Sequence, residues 1–154
     1  MIRFTRTLRG FALAATLLLI GSSIGWAHGP RPGHYSSLAG FWVIEGFPEP
    51  GSGVPDFVNL ATMGKHGEVI NVDPIEGTGV GGWKKVSPQQ YAVTFTGFIV
   101  DGGSTVRYIV SSTVTVSGSH FHGPFRTEVL DLDGNPLFHF EGTVNAERQT
   151  VQPF

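Results

Sequence analysis

The chain has 154 residues, a net charge of -2, no cysteine, and 22 glycines and 12 phenylalanines against 2 methionines. These values exclude a disulfide-stapled scaffold, and the lack of a basic patch argues against a nucleic-acid partner. They describe a glycine- and phenylalanine-rich, turn-dense chain of the all-β kind.

The N-terminus comes first. Arg3, Arg6 and Arg9 precede the apolar run Phe11 to Ile20, interrupted only by Thr16. Gly25-Trp26-Ala27 then sets small residues at both positions that a signal peptidase reads. Residues 1–27 are therefore expected to be a secretory leader. The apolar run is shorter than the roughly 20 residues of a membrane span, so no span is expected once the leader is removed. The protein is expected in the periplasm or outside the cell. Residues 28–37 follow as an arm that Gly29, Pro30, Pro32 and Gly33 keep irregular. Cleavage after Ala27 makes His28 the first residue. Its amine and ring, helped by His34, form a copper-chelating option that the following sequence does not otherwise support.

From Leu38 the chain alternates. Strands are predicted at Leu38–Phe47, Phe57–Met63, Glu68–Asp73, Gly79–Val86, Tyr91–Asp101, Thr105–Ser117, His120–Asp131 and Leu137–Val151. Turn residues separate them, among them Gly64-Lys65-His66-Gly67, Ser87-Pro88-Gln89-Gln90, Ser117-Gly118-Ser119 and Asp133-Gly134-Asn135. No connection is long enough for a crossover helix. Residues 38–154 are thus expected to form an antiparallel up-and-down barrel of about eight strands. The longest connection, Pro48 to Pro55, is expected to be a loop across one mouth.

Faces can be assigned in the last four strands. Tyr91, Val93, Phe95 and Ile99, then Val106, Tyr108, Val110, Val114 and Val116, then Phe121, Phe125 and Val129, then Phe138, Phe140 and Val144 share one face. That face is expected inward. Gly97, Gly123 and Gly142 fall on it too. They permit tight coiling, or they leave space beside the aromatic rings.

Gly40-Phe41-Trp42, opening the first of eight meandering strands, resembles the start of lipocalins and their calycin relatives, avidin-like proteins included. The allene-oxide-cyclase-like barrel is a related resemblance. The likeness implies that Trp42 closes one barrel end beneath a basic side chain of the last strand, a place that Arg148 suits. It also implies that residues 36–39 form a short turn sealing that end. The Thr-Asp-Tyr-type motif and the cysteine pair of lipocalins are absent.

Candidate chemistry is sparse, and neither a catalytic residue nor a cofactor is assigned. His120, His122, His139 and Glu141 share the polar face and include the His-x-His spacing of a metal site. Counting from the Asp133-Gly134 turn sets Glu128 opposite His139 and Arg126 opposite Glu141, with His122 facing Thr115. Those are also the pairs of an ordinary solvated sheet, which is the favoured reading. Glu45, Asp56, Asp73, Glu76, Asp101 and Asp131 sit near strand ends, where turn formation explains them. Gly77 to Gly82 is glycine-rich but lacks the lysine and helix of a phosphate loop.

The expected function is binding of a small hydrophobic or aromatic ligand by Tyr91, Phe95, Tyr108, Phe121, Phe125, Phe138 and Phe140. The alternatives are a barrel cyclase or isomerase, and a structural domain with a filled core or a surface histidine metal site. A barrel filled by those aromatics, with no cavity of ligand size, excludes both binding and catalysis; a cavity containing a buried carboxylate favours the enzyme, and a purely apolar cavity favours the carrier.

Overall fold

The structure is a computed structural model and describes residues 37–75, 77–101 and 103–150. Eight strands follow in order: β1 (Gly40–Pro48), β2 (Phe57–Met63), β3 (Glu68–Asp73), β4 (Gly77–Lys85), β5 (Gln90–Asp101), β6 (Ser104–Ser117), β7 (His120–Leu130) and β8 (Pro136–Gln149). Each pairs antiparallel with the next, and β8 returns to β1, so the sheet is a closed barrel. Closure leaves no strand edge unpaired. The predicted leader and nearly all of the arm lie outside the described residues.

Strand ends differ from the sequence expectation for local reasons. β1 begins at Gly40 rather than Leu38 because the Leu38 carbonyl accepts the Trp42 indole N–H at 2.9 Å. β4 begins at Gly77, which pairs with Asp73 and lengthens the third hairpin. β7 stops at Leu130 because Asp131 is taken up by the turn. Its carboxylate accepts from the Asn135 backbone N–H and side-chain amide, both at 2.8 Å. Gly134 completes that turn at φ +90, a conformation glycine adopts without steric cost. The connection after β1 is tied to β8, Glu49 N–H donating to the Glu141 carbonyl at 2.9 Å.

The Asn135 hydrogen bonds hold the Asp131 carboxyl below its ordinary value of 3.8. A carboxylate held low in the folded state stabilises it above the ordinary value, and that contribution fades as pH falls through the folded value. The β7–β8 turn is therefore expected to loosen only below about pH 4. Amide exchange at Gly134 and Asn135, compared with that at buried Val114, checks this. Exchange that ignores acidification, or that rises equally at Val114, contradicts it.

One end of the barrel is sealed. Trp42 is fully buried, and the Phe121 ring lies 4.7 Å away. Arg148, the register partner of Trp42 on β8, stacks its guanidinium 4.2 Å above the indole. The same guanidinium donates to the Ala39 carbonyl through Nη1 and to the Ser37 carbonyl at 2.7 Å through Nη2. The chain entering β1 is thereby pinned under the barrel floor. Arg148→Met keeps most of the stem packing and removes these bonds, which should cost about 1–3 kcal/mol. Urea melts measure it; an unchanged midpoint would show that the guanidinium does not hold this end.

Candidate functional site

The interior changes character along the barrel axis. Near the sealed end, Leu38, Trp42, Val69, Tyr91, Val114, Val116 and Phe121 are all buried. Towards the other end the inward-facing Phe57, Phe95, Val110 and Phe140 are only partly buried, and Phe138 is 46% exposed. Burial is therefore mixed at the end that carries the β1–β2 and β7–β8 connections: Tyr108, Phe125, Val129 and Leu130 are buried there, beside the partly buried phenylalanines.

A polar cluster sits inside this half. Asn59 on β2 and Asn71 and Asp73 on β3 are buried, with 8%, 2% and 7% of their surface exposed. Asp73 Oδ1 accepts the Ile75 N–H at 2.6 Å, closing the β3–β4 turn. The Asn59 amide is oriented by its neighbours. Its Nδ2 donates to Asp73 Oδ2 at 2.6 Å and to the Val58 carbonyl at 3.1 Å, and its Oδ1 accepts from Asn71 Nδ2 at 3.2 Å. The chain of bonds ends at Asn71 Oδ1, a buried acceptor with no donor among the described residues. A buried acceptor left in that state costs about 1–3 kcal/mol, so it marks a place where a donor belongs.

Next to this cluster the barrel wall is thin. Asn71 pairs with Gly79, and Gly79 pairs with Gly97. The Tyr108 hydroxyl lies where side chains at these two positions would go: a Cβ on Gly97 would come within 2.4 Å of it and one on Gly79 within 2.9 Å. The Phe57 ring covers Gly46 in the same way. Gly123 and Gly142 serve differently. A Cβ there would strike the neighbouring backbone, at the Thr113 carbonyl (2.2 Å) and the Phe47 carbonyl (2.4 Å). Neither kind leaves open space: one admits an aromatic side chain, the other the neighbouring backbone. At Gly97 the space left by the glycine is taken by an aromatic ring.

The predicted ligand set divides between the two halves. Tyr91 and Phe121 lie in the sealed core, Tyr91 edge-on to Trp83 at 5.5 Å and Phe121 against Trp42. Phe95 and Tyr108 meet edge-on at 6.4 Å, and Phe125 and Phe140 at 5.9 Å. Phe138 stacks on Phe140 at 6.4 Å and reaches the surface. Val106, Ile99 and Val129 complete the inward face predicted for the last four strands.

The outer face of β7 and β8 has the predicted register. Glu128 faces His139, Arg126 faces Glu141 and His122 faces Thr115. Arg126 pairs with Glu128 at 3.0 Å and Glu141 at 3.2 Å, with all three half exposed. Exposed pairs of this kind contribute little stability. Among the described residues no three His, Asp or Glu side chains converge as a metal site, so His120, His122, His139 and Glu141 are not brought together. Beside them lie two open hollows. One, of about 570 Å³, is lined by residues including Leu130, Leu137 and Phe138; the other, of about 280 Å³, lies between the β1–β2 connection and β8. Glu45 and Asp56 are exposed, and Asp131 serves its turn. His28, His34, Glu76 and the Asp101 side chain lie outside the described residues.

Sequence reading missed Asn59 and Asn71. Hydropathy alone would turn Val58, Leu60, Ile70 and Val72 inward, yet these are 42 to 51% exposed. A strand's register flips its whole side-chain set at once. The register partner of Ala61 is Trp42, and that anchoring turns Ala61, Asn59 and Met63 inward with it. The usable signal was Asn59, Asn71 and Asp73 recurring at period two across one hairpin.

No family model, no curated protein and no solved structure matches the chain.

Proposed function

We propose that this is an exported, calycin-type barrel that binds a small molecule in the half of its interior where burial is mixed. The ligand has an aromatic or apolar body and one group that donates a hydrogen bond. The carrying observation is the buried Asn71 carbonyl oxygen, which has no donor among the described residues, in the half of the barrel where Phe57, Phe95 and Phe140 are only partly buried. Small-molecule sites usually combine mostly apolar side chains with a few fixed polar groups, as this half of the barrel does. Phe95, Tyr108, Phe125 and Phe140 would contact the body, and Asn71 the donor. The Trp42–Arg148 closure supports the calycin reading, because it gives the motif at the start of β1 the role that the resemblance implies.

N-phenyl-1-naphthylamine suits a first test, being an aromatic body with one N–H. Saturable fluorescence enhancement at one site per chain is expected. Asn71→Leu, of similar shape, should weaken binding about tenfold while the thermal melt shows a folded protein. Absence of saturable binding by the folded wild type would reject the proposal in favour of a structural domain with a filled core.

A second reading rests on Asp73, an acid inside the barrel. A cyclase or isomerase acting on a hydrophobic substrate would use it for proton transfer. Binding ranks first because both Asp73 oxygens already accept hydrogen bonds, from Ile75 and Asn59. Recovery of a chemically changed ligand from the wild type, and an unchanged one from Asp73→Asn, would establish the enzyme instead.

A further inference from the structure

The outside of the barrel has two unlike halves. The outer face of β7 and β8 carries His120, His122, Arg126, Glu128, His139 and Glu141. The outer face of β2, β3 and β4 carries Val58, Leu60, Ile70, Val72 and Val80, each 42 to 57% exposed, with Ile75 at 85% on the adjoining turn. These side chains are contiguous. Leu60, Val72 and Thr78 lie in one row across the strands, and Thr62, Ile70 and Val80 in the next. No ionisable side chain interrupts the two rows.

The patch is large for a free surface. Its apolar side chains expose on the order of 600 Å², the upper end of what a monomer shows in one piece. A standard protein interface takes about 800 Å² from each side. The exposed apolar area falls short of that value, and the interleaved Thr62 and Thr78 add to it. A lipid bilayer is a poor occupant, since a membrane barrel needs an apolar band all the way round. Here the charged exterior of β7 and β8 breaks any such band.

We infer that this face is the interface of a homodimer, two copies packing sheet on sheet through β2–β5 with β3 and β4 at its centre. Self-association fits the charge pattern. A two-fold axis running along the strands between β3 and β4 sets β3 of one copy over β4 of the other. Ile70 then meets Val80, and Val72 meets Thr78. At the margin, the same operation sets Glu68 of one copy over Gly82 of the other, two residues from Lys84, so opposite charges approach at both corners. The aligned packing of two twisted sheets accommodates this at about 30°. The interface lies outside the barrel and is independent of what the interior binds.

Sedimentation velocity of the purified protein tests it. A dimer is expected at a concentration of about 100 µM, giving way to monomer on dilution. Ile70→Lys with Val80→Lys should abolish the dimer while the near-ultraviolet circular dichroism and thermal melt keep the folded signature. Arg126→Ala, on the opposite exterior, should change nothing. Glu68→Lys should weaken association, and adding Lys84→Glu should restore it. A wild type that stays monomeric, or a dimer indifferent to Ile70→Lys with Val80→Lys, overturns the inference. So does a monomer that sediments only with phosphatidylcholine vesicles, which would make the face a lipid-binding one.

Discussion

Trp42→Ala is expected to remove about 3–5 kcal/mol of stability, the largest loss from any single truncation in this barrel. The indole is fully buried, and three separate interactions converge on it: the Leu38 carbonyl, the Phe121 ring and the Arg148 guanidinium. Alanine would leave a cavity at the floor and remove the surface on which Arg148 rests. Small domains have only about 5–15 kcal/mol in total, so this loss brings the variant close to unfolding at ambient temperature. Trp42→Phe separates the contributions. It keeps most of the ring volume, loses the indole N–H and should cost clearly less. Denaturant midpoints at an unchanged slope measure both. A loss of under about 1 kcal/mol for alanine would mean that the floor is held by other contacts.

Gly142→Ala should also be strongly damaging, although it adds a single methyl group. The inward face of β8 at this point touches the β1 backbone. A Cβ would come to 2.4 Å from the Phe47 carbonyl oxygen, 2.7 Å from the Phe125 ring and 2.8 Å from the Pro48 Cα. Two of these neighbours are backbone, so a change of rotamer cannot relieve them. Overpacking of this kind costs about 1–3 kcal/mol or more. Because β8 and β1 close the barrel here, the strain falls on the closing ladder. Gly51→Ala is the control. That glycine sits in the connection after β1 with open space around it, and only its positive φ resists a side chain. Thermal melts should therefore rank Gly142→Ala well below Gly51→Ala. Equal melting temperatures would show that β1 and β8 can separate at little cost.

Much of the barrel was legible because its signals are local. Turn chemistry at Gly64 to Gly67, Ser87 to Gln90 and Asp133 to Asn135 fixes hairpins, and a hairpin fixes its neighbour. The β7–β8 register followed from one turn, which is why Arg126 and Glu141, fifteen residues apart, could be paired in advance. Faces were readable where one side of a strand is aromatic and the other Ser, Thr or charged, as in β5 to β8. They were not readable in β2 and β3, where both sides carry apolar residues. There the outer apolar side reads as core, and the two buried asparagines read as solvent-facing.

What the sequence determined by itself was the class of fold, the number and order of strands, and the inward aromatic face of the second half. Period-two alternation and turn residues act over a few positions and need no knowledge of the rest of the chain. What only the tertiary structure decided was where polarity ends up. Closing β8 onto β1 set the rotation of the first strands, turned Asn59, Asn71 and Asp73 inward, and left Ile70, Val72 and Val80 outside. Ring closure is a global constraint: the register of one strand depends on all the others. The polar site inside the barrel and the apolar face outside it therefore arise from the same register, which no local window of sequence contains.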